Sequence, residues 1–391
     1  MSRNLPPHFT LLQVVPALDA GGVEQTTLDV ARAVVEAGGR ALVASVGGRL
    51  EGELAARGGE LVRLPMASKN PLTVLQNGGR LERLIGERGV SLVHVRSRAP
   101  AYSAWIAARR GKVPFVTTYH GVYNAHSAPK RLYNRVMARG DAVIANSEFT
   151  REHLLSEHHG IDPARVTAIP RGVDLGLFDP SAVRGDRLAA TRAAWGLSVE
   201  DPRPVLLLAG RLTAWKGQGL LIEAVRRLKA GGGEDPILVL AGDDQGRAGY
   251  RAELDAAIVS AGLRDTVRIV GHCTDMPAAY LAADFALAPS LEPEAFGRTA
   301  VEPQAMGRVV LAADHGAARE TVLDRTTGWR VKPGDADVWA EALREALATP
   351  PEVRRAMGEA GRERVQRLYS LEAMTDATLD VYAKLMREAS R

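Results

Sequence analysis

Short apolar segments alternate with longer amphipathic segments along the first half of the 391-residue chain. Four to six consecutive apolar residues indicate a strand buried on both faces, whereas apolar positions spaced by three and four indicate a helix. Strand–helix alternation of this kind predicts a parallel sheet covered by helices on both faces. The predicted strands of this half are 10–15, 41–46, 61–64, 92–95, 115–118, 142–145 and 166–169.

The same alternation begins again in the second half of the chain. Predicted strands lie at 204–209, 237–241, 267–270, 284–288 and 309–312, and helical patterns separate them. The sequence therefore predicts an α/β protein with two doubly wound parallel-sheet domains that face each other across a cleft, with the ligand in that cleft. The predicted domains are 1–178 and 204–370, joined by a linker at 179–203, and a final segment at 371–391.

Composition narrows the class of protein. A chain that is 46% apolar and 25% charged is typical of a folded globular protein. It contains no apolar run near the ~20 residues of a membrane span, and its first residues lack the apolar core of a signal peptide, so a cytoplasmic location is expected. The single cysteine, Cys273, excludes an internal disulfide.

Positive charge is concentrated in one segment, which contains nine Lys and Arg residues and no acid between Arg96 and Arg139. Two interpretations stay open: a solvated basic face, or a surface that meets anionic lipid or an anionic acceptor. No nucleic-acid-binding module accompanies the charge, so a nucleic-acid partner is not expected. The candidate acceptor or membrane face consists of Arg109, Arg110, Lys112, Lys130, Arg131 and Arg135.

Two carboxylates follow the predicted strand at 284–288. Glu294 lies in the turn after the strand, Gly297 opens a helical pattern, and Glu302 follows about two turns later. Glutamates so placed could accept hydrogen bonds from hydroxyls at two ends of one ligand, and the helix N-terminus suits polar oxygens. The alternative is a solvated glutamate pair beside a capped helix.

Cations and glycines follow other predicted strands. Gly210-Arg211 and Lys216-Gly217 come after the strand at 204–209, and Arg and Lys both suit a diphosphate. Gly21-Gly22 follows the first strand, where glycine lets a ligand approach the backbone, and His120 ends the fifth. Each has a plain alternative: a cationic turn that binds nothing, an ordinary glycine turn and a structural histidine.

Together these residues resemble one known family. Residues 294–302, Glu-Ala-Phe-Gly-Arg-Thr-Ala-Val-Glu, resemble the Glu-x7-Glu signature of retaining family-4 glycosyltransferases with the GT-B fold, of the bacterial cell-envelope or lipopolysaccharide type. Further parts of that pattern occur in the same order along nearly the whole chain: Gly21-Gly22, Gly210-Arg211 with Lys216-Gly217, and Gly316 with Glu320 and Thr327-Gly328.

The resemblance implies a nucleoside-diphosphate-sugar donor and a role for each matched residue. It implies that Arg211 and Lys216 hold the diphosphate, that Glu294 bonds sugar hydroxyls, and that His120 contacts the transferred sugar. Glu302 would bond the ribose, and the base would lie near residues 271–273. The implied catalytic residues are His120, Glu294, Arg211 and Lys216, and the donor-binding residues are Gly21, Gly22, Arg211, Lys216, His272, Cys273, Glu294, Ala295, Phe296, Gly297, Arg298, Thr299 and Glu302.

The family mechanism implies front-face attack with retention, in which the departing phosphate assists deprotonation of the acceptor hydroxyl. It also implies no metal and no cofactor, and a final helix that crosses back to the first domain. Asp335, in an Asp-x-Asp spacing typical of metal sites, is predicted to cap the helix that follows it. Pro303 departs from the family pattern and makes the placement of Glu302 less defined by sequence.

The basic segment favours an anionic, membrane-held glycolipid acceptor, such as lipopolysaccharide core, with the enzyme peripheral at the inner face of the cytoplasmic membrane. A soluble acceptor stays open. So do three other functions: a GT-B nucleotide-sugar epimerase, an NAD-dependent oxidoreductase, and a non-catalytic sugar- or lipid-binding module. Against the oxidoreductase, the first strand lacks the full Gly-x-Gly-x-x-Gly fingerprint.

Overall fold

The computed structural model describes residues 5–19, 21–123, 127–198, 200–232 and 234–389. These residues form two compact units. The first contains the described residues up to Gly172 together with those from Leu371 onward, and the second is Val173–Ser370.

Thirteen strands are present in the described residues. They are β1 (Thr10–Val14), β2 (Arg40–Ser45), β3 (Glu60–Arg63), β4 (Leu92–Val95), β5 (Phe115–Tyr119), β6 (Ala142–Ala145), β7 (Val166–Ala168), β8 (Val205–Ala209), β9 (Ile237–Ala241), β10 (Val267–Gly271), β11 (Phe285–Ala288), β12 (Val309–Ala313) and β13 (Gly328–Val331).

Fifteen α-helices accompany them in the same described part of the chain. They are α1 (Gly22–Glu36), α2 (Glu51–Ala56), α3 (Pro71–Arg88), α4 (Arg98–Gly111), α5 (Ala128–Asn134), α6 (Glu148–Glu157), α7 (Gly185–Ala194), α8 (Gln218–Ala230), α9 (Ala248–Ser260), α10 (Met276–Ala282), α11 (Arg298–Ala305), α12 (Ala318–Thr321), α13 (Ala336–Ala348), α14 (Pro351–Leu368) and α15 (Leu371–Ala389). Short 3₁₀ helices occur at Arg135–Ala138, Pro163–Arg165, Pro180–Ala182 and Ala214–Lys216.

Each unit contains one parallel sheet. The first has seven strands in the order β3-β2-β1-β4-β5-β6-β7, and the second has six in the order β10-β9-β8-β11-β12-β13. In both sheets the first strand of the unit pairs with the second and with the fourth, so the order in which strands are added changes direction between β1 and β4 and between β8 and β11. The predicted pair of doubly wound α/β domains is confirmed, and ligand sites in such sheets lie at these switch points.

Helices cover both faces of each sheet, and the central strands β1 and β8 direct buried apolar side chains toward both faces. Leu11 and Leu12, adjacent in β1, enter separate clusters on opposite faces of the first sheet. In the second sheet Leu206 and Leu207 divide in the same way. Each fully buried leucine contributes about 2 kcal/mol of hydrophobic stabilisation. Helix α15 supplies Leu379 to the core of the first unit, where it packs with α1.

The boundary between the units differs from the predicted one. Contacts divide the chain after Gly172 rather than at 178, and the segment predicted as a linker, 179–203, is part of the second unit. That segment contains α7, and Trp195 and Leu197 are buried in the same core as Tyr280. Arg187 of α7 donates to Asp275 through Nε at 2.8 Å and Nη2 at 2.7 Å. Its apolar residues and this bidentate pair hold it against the second sheet.

Two local features, strand β13 and the helix around Pro303, were not defined by the sequence pattern. Strand β13 was not predicted because its four residues, Gly-Trp-Arg-Val, include an arginine and lack an apolar run. Pro303 lies inside α11 without ending it. Gln304 donates from Nε2 to the carbonyls of Ala300 at 2.7 Å and Thr321 at 3.0 Å, and these bonds hold the end of this helix in place.

Candidate active site

The switch point of the second sheet brings two predicted segments together. β8 leads into the turn that carries Arg211 and Lys216, and β11 leads into the turn that carries Glu294. These strands are 76 or more residues apart in sequence but adjacent in the sheet, with Phe285 opposite Leu206. Parallel pairing therefore places both turns at the same carboxyl edge.

Lys216 and Glu294 form an ion pair at this edge. Lys216 Nζ lies 2.7 Å from Glu294 Oε1, and the two side chains are only 12% and 18% exposed. The Ser290 hydroxyl donates to the same carboxylate oxygen. A charge-assisted contact of this kind is stronger than one between neutral groups. It holds both side chains in place at the mouth of the turn.

The backbone of Glu294 is held by a close approach from the next loop. At Gly316, whose φ is 57°, an added Cβ would lie 2.7 Å from the Glu294 carbonyl oxygen and 2.8 Å from its nitrogen. The Ala317 N–H donates to that carbonyl at 2.9 Å. His315 Nε2 lies 2.8 Å from the Ser290 carbonyl oxygen. This explains why the family pattern includes a glycine at 316.

Glu302 is buried rather than solvated. Its carboxylate is held by Arg298, which donates from Nε to Oε1 at 2.6 Å, and by the Tyr280 hydroxyl, which donates to Oε2 at 3.1 Å. Burial, and then the neighbouring Glu302 charge, raise the pKa of Tyr280 well above its usual value, so the phenol keeps its proton and acts as a donor. The interpretation of Glu294 and Glu302 as a solvated pair is wrong.

Arg211 takes a different position from Lys216. Its side chain is exposed, and its guanidinium forms no ion pair within the described residues. Its carbonyl accepts from Gln218 Nε2 at 2.9 Å, and Gln218 Oε1 accepts from the Tyr250 hydroxyl at 3.2 Å. The buried Gln218 thus fixes the backbone of the turn while the Arg211 side chain stays accessible to a ligand.

The other predicted donor residues of the second unit follow β10 and β11, whereas Gly21 and Gly22 lie at the start of α1 in the first unit. His272 is exposed just after β10, and Cys273 is half-buried, with burial raising the pKa of its thiol. Phe296 is buried against Tyr369, with ring centroids 6.0 Å apart. Gly297, with φ 79°, is the N-cap of α11. The other three predicted residues of this turn and helix, Ala295, Arg298 and Thr299, are half-buried, exposed and half-buried.

The first unit has its own switch point, where His120 follows β5. Arg171 Nη2 lies 3.4 Å from His120 Nδ1. Burial first, and then the charges of Arg171 and Arg96, hold the pKa of His120 well below its usual value, so the ring is neutral. Because a guanidinium only donates, Nδ1 must accept, and the single ring proton is on Nε2.

His120 Nε2 therefore carries an N–H that can bond a ligand. It is inaccessible to solvent and has no hydrogen-bond partner in the described part of the chain. Arg171 also lies against the start of α1, where an added Cβ on Gly22 would come 1.8 Å from Arg171 Nη1. The second glycine of Gly21-Gly22 is thus needed to admit Arg171, a reason that sequence inspection did not supply.

A buried polar network lies beneath this histidine. Arg96, 3% exposed and directly after β4, donates from Nε to Gln13 Oε1 at 2.8 Å and approaches His94 Nδ1 at 3.4 Å. His94 also bonds the Tyr382 hydroxyl at 2.5 Å and Thr118 Oγ1 at 2.6 Å. No carboxylate of the described residues forms an ion pair with Arg96, and its hydrogen bonds go to neutral groups.

Four functional candidates were missed by sequence reasoning: Arg96, Arg171, Gln218 and Ser290. Arg171 was visible in Pro170-Arg171-Gly172 only as the close of the first half. Its contact with His120 spans 51 residues and depends on strand order. Ser290, directly after a Pro at a strand end, offered the clearest local signal.

The structure also places the candidate acceptor face and Asp335, the residue with a spacing typical of metal sites. Arg109, Arg110 and Lys112 lie at the C-terminal end of α4, and Lys130, Arg131 and Arg135 lie along α5 and the turn after it. Asp335 accepts from the N–H groups of Asp337 and Val338, which confirms it as a helix cap. Among the described residues no group of three His, Cys, Asp or Glu is arranged to hold a metal ion. None of the described helices combines the length and apolar composition that a bilayer crossing requires.

Two family models match the chain in sequence. Residues 20–177 match the model described as Glycosyltransferase Family 4, and residues 192–364 match that described as Glycosyl transferases group 1. The chain is 34% identical over 319 residues to a D-inositol 3-phosphate glycosyltransferase of Xylanimonas cellulosilytica. That match covers 78% of this chain and 74% of the relative.

Solved structures agree in fold. A glycosyltransferase from Rickettsia africae superposes with a TM-score of 0.89 and 34% identity, and the match covers 97% of this chain and 99% of that one. Anabaena HepE, crystallised in complex with UDP and glucose, superposes with a TM-score of 0.81 at 21% identity, over 96% of this chain and 100% of that one. This chain therefore belongs to the family-4 glycosyltransferases with the GT-B fold.

Proposed function

We propose that this glycosyltransferase moves a sugar from a nucleoside-diphosphate donor to a hydroxyl of a phosphorylated acceptor, with retention at the anomeric carbon. The observation that supports it most is the Lys216–Glu294 pair at the switch point of the second sheet. The pair offers a cation for phosphate and a carboxylate for sugar hydroxyls at one place.

In this proposal the diphosphate replaces Glu294 as the charged partner of Lys216. Lys216 and the exposed Arg211 bind the phosphate oxygens, and the Glu294 carboxylate, released from Lys216, accepts hydrogen bonds from the sugar. The bond between the anomeric carbon and the diphosphate oxygen breaks as the acceptor oxygen attacks the same face. The acceptor proton passes to the departing phosphate. Cations preorganised at a leaving group are among the largest contributors to rate.

His120 serves this reaction as a neutral donor. Its Nε2–H bonds a hydroxyl of the transferred sugar, and Arg171 keeps that proton on Nε2 by donating to Nδ1. Glu302, with Arg298 and Tyr280, provides the carboxylate for the ribose.

The acceptor is proposed from charge and from the name of a relative. The relative from Xylanimonas cellulosilytica is named for D-inositol 3-phosphate, a polyol that carries a phosphate. The cation-rich segment of the first unit also suits an anionic acceptor. A phosphorylated polyol is therefore the acceptor we propose, in place of lipopolysaccharide core. Lipopolysaccharide core remains an alternative acceptor, and peripheral membrane contact and metal independence remain predictions.

The test is a transfer assay followed by proton NMR. UDP-, GDP- and ADP-linked hexoses and N-acetylhexosamines are incubated with D-inositol 3-phosphate or with lipopolysaccharide core, with and without EDTA. One donor should give a product with the donor's anomeric configuration, and EDTA should leave its rate unchanged. An inverted product would contradict retention, and a donor isomer formed without acceptor would indicate an epimerase.

A matched pair of variants links the assay to the site. Glu294→Gln should lower kcat/KM by about 100-fold, because the neutral amide no longer orients the sugar or pairs with Lys216. Glu292→Gln, two residues earlier and exposed, should keep the rate. Equal rates for both variants would remove Glu294 from the mechanism.

A further inference from the structure

A large cavity lies in the first unit. It has a volume of about 790 Å³ and lies between α4, α5, the 135–138 turn and the end of α6. Small-molecule sites occupy roughly 300–1,000 Å³. The cavity reaches Asp141, just before β6, and Arg165, just before β7. It also reaches Tyr119, the last residue of β5 and the neighbour of His120, so it extends from the amino ends of β6 and β7 to the carboxyl end of β5.

Five arginines face this cavity, which we call the arginine pocket. Arg131 lies in α5, Arg135 begins the 3₁₀ helix and Arg139 directly follows it, so one short stretch of chain brings three arginines to the cavity. Arg109 comes from α4 and Arg165 from the turn before β7. Three separate parts of the chain thus bring guanidinium groups to one cavity.

The carboxylates of the arginine pocket do not neutralise this charge. Among the described residues, Asp141 and Glu157 are the only carboxylates that line it. Asp141 Oδ2 accepts from the Phe115 N–H at 2.8 Å. Arg165 bonds the Asp141 carbonyl oxygen at 3.2 Å and the Gly140 carbonyl oxygen. With five arginines and two carboxylates, the lining formed by the described residues carries excess positive charge.

Aromatic and imidazole groups complete the wall. Arg139 lies over Trp105 at 4.6 Å from the ring centroid, and Tyr119 and Tyr123 lie with centroids 4.2 Å apart. Burial, opposed by Glu157 and reinforced by Arg135, lowers the pKa of His158. His158 Nε2 is shielded from solvent and lacks a hydrogen-bond partner within the residues described.

We propose that the arginine pocket binds a small ligand that carries a phosphate group, with its carbon skeleton against Trp105, Tyr119 and Tyr123. Guanidinium forks match phosphate oxygens, and several converging arginines give both charge and geometry. The phosphate could belong to a soluble sugar or polyol phosphate or to a lipid headgroup. The pocket shares Arg109, Arg131 and Arg135 with the candidate acceptor face, and phosphate binding there can be measured without sugar transfer.

The basic segment offers a matched control for this proposal. Arg110 and Lys112 belong to the same cationic segment but do not line the pocket. Arg110 approaches Glu82 at 3.3 Å instead. The pair Arg135→Gln/Arg139→Gln and the pair Arg110→Gln/Lys112→Gln each remove two positive charges. Diffuse attraction to the basic face would weaken equally in both, whereas a built pocket loses binding only in the first.

The experiment titrates the full chain with glucose 6-phosphate in a calorimeter, with glucose as the uncharged comparison. In a second arm, flotation measures binding to vesicles of phosphatidylglycerol and phosphatidylcholine. The pocket pair should weaken binding at least about tenfold, equivalent to about 1.4 kcal/mol, and the control pair less than twofold. Thermal unfolding of both variants checks that each is folded.

Each outcome has one meaning. Selective loss of glucose 6-phosphate binding supports the pocket with a soluble ligand, and selective loss of vesicle binding supports it with a lipid headgroup. Equal weakening by both pairs, or the absence of binding in both arms, would overturn the proposal.

Discussion

The two switch points have the same topology, but charged side chains are paired at one and not at the other. In the second unit the cation and the carboxylate meet: Lys216 is paired with Glu294, and Arg298 with Glu302. In the first unit Arg96 is buried without a carboxylate partner among the described residues, and His120 is held neutral by burial and by positive neighbours. In the paired site of the second unit, a charged ligand can replace the partner of each side chain. The cationic site of the first unit, with its neutral imidazole, instead offers oriented hydrogen-bond donors.

The comparison predicts that the second unit carries most of the leaving-group stabilisation. Replacing Arg211 and Lys216 by Ala should lower kcat/KM by about 100- to 1,000-fold, because the diphosphate loses preorganised cations as its charge develops. Steady-state transfer rates measure this. Lys229→Ala, which removes a cation bonded to Thr266 and Asp235 elsewhere in the unit, should change the rate less than twofold. A loss below tenfold in the double variant would mean that the leaving group is stabilised elsewhere.

Gly22→Ala tests whether Arg171 must occupy the space above α1. The new methyl would lie 1.8 Å from Arg171 Nη1 and displace it. We expect a fall of roughly 10- to 100-fold in kcat/KM, since small misplacements of positioning groups have effects of that size.

Two further variants sharpen this prediction. Gly79→Ala, where an added Cβ meets nothing within 4 Å, should keep full activity and add about 0.5–1 kcal/mol of helix stability. Combining Gly22→Ala with Arg171→Met removes the clash and should restore thermal stability but not activity. Full activity in Gly22→Ala alone would contradict the proposed role of Arg171.

Arg171→Met tests the proton position on His120. Removing a neighbouring positive charge should raise the pKa of His120, and the Nδ1–H tautomer should become populated because no guanidinium donates to Nδ1. Nitrogen NMR of labelled histidine follows both changes. Arg171→Lys, which keeps the charge and a donor, should restore the Nε2–H tautomer in part. An unchanged spectrum in Arg171→Met would exclude this coupling.

The smallest expected effect is on stability in acid. His94, His120 and His158 all have pKa values below the ordinary 6.5 in the folded chain. The unfolded chain therefore binds more protons as pH falls below about 6.5, and stability must decrease there. Thermal unfolding should show a lower Tm at pH 5.5 than at pH 7.5, and His158→Gln should reduce the difference. A Tm that rises on acidification would contradict these pKa directions.

The sequence predicted the fold more completely than the site. Apolar runs located twelve of the thirteen strands, because strands buried on both faces are continuously apolar. It failed at β13, where Trp329 and Arg330 interrupt that signal.

Within the site, spacing along one segment could identify Glu294 and Glu302 but not what they contact. Lys216 reaches Glu294 across 78 residues because β8 and β11 are neighbours in the sheet. Arg171, after β7, reaches His120, after β5, across 51 residues, and β6 lies between these two strands in the sheet. Such pairs depend on strand order, which periodicity does not determine, so the arginine pocket was also beyond its reach.

The most direct test of the central claim is nucleotide binding at the Lys216–Glu294 pair. Thermal unfolding is measured with UDP, GDP and ADP for the wild-type chain and for the Arg211→Ala/Lys216→Ala variant. One diphosphate, at ~100 times its dissociation constant, should stabilise the wild type by about 2.7 kcal/mol and leave the variant unchanged. Equal stabilisation of both chains, or no response to any of the three, would contradict a donor site at this switch point.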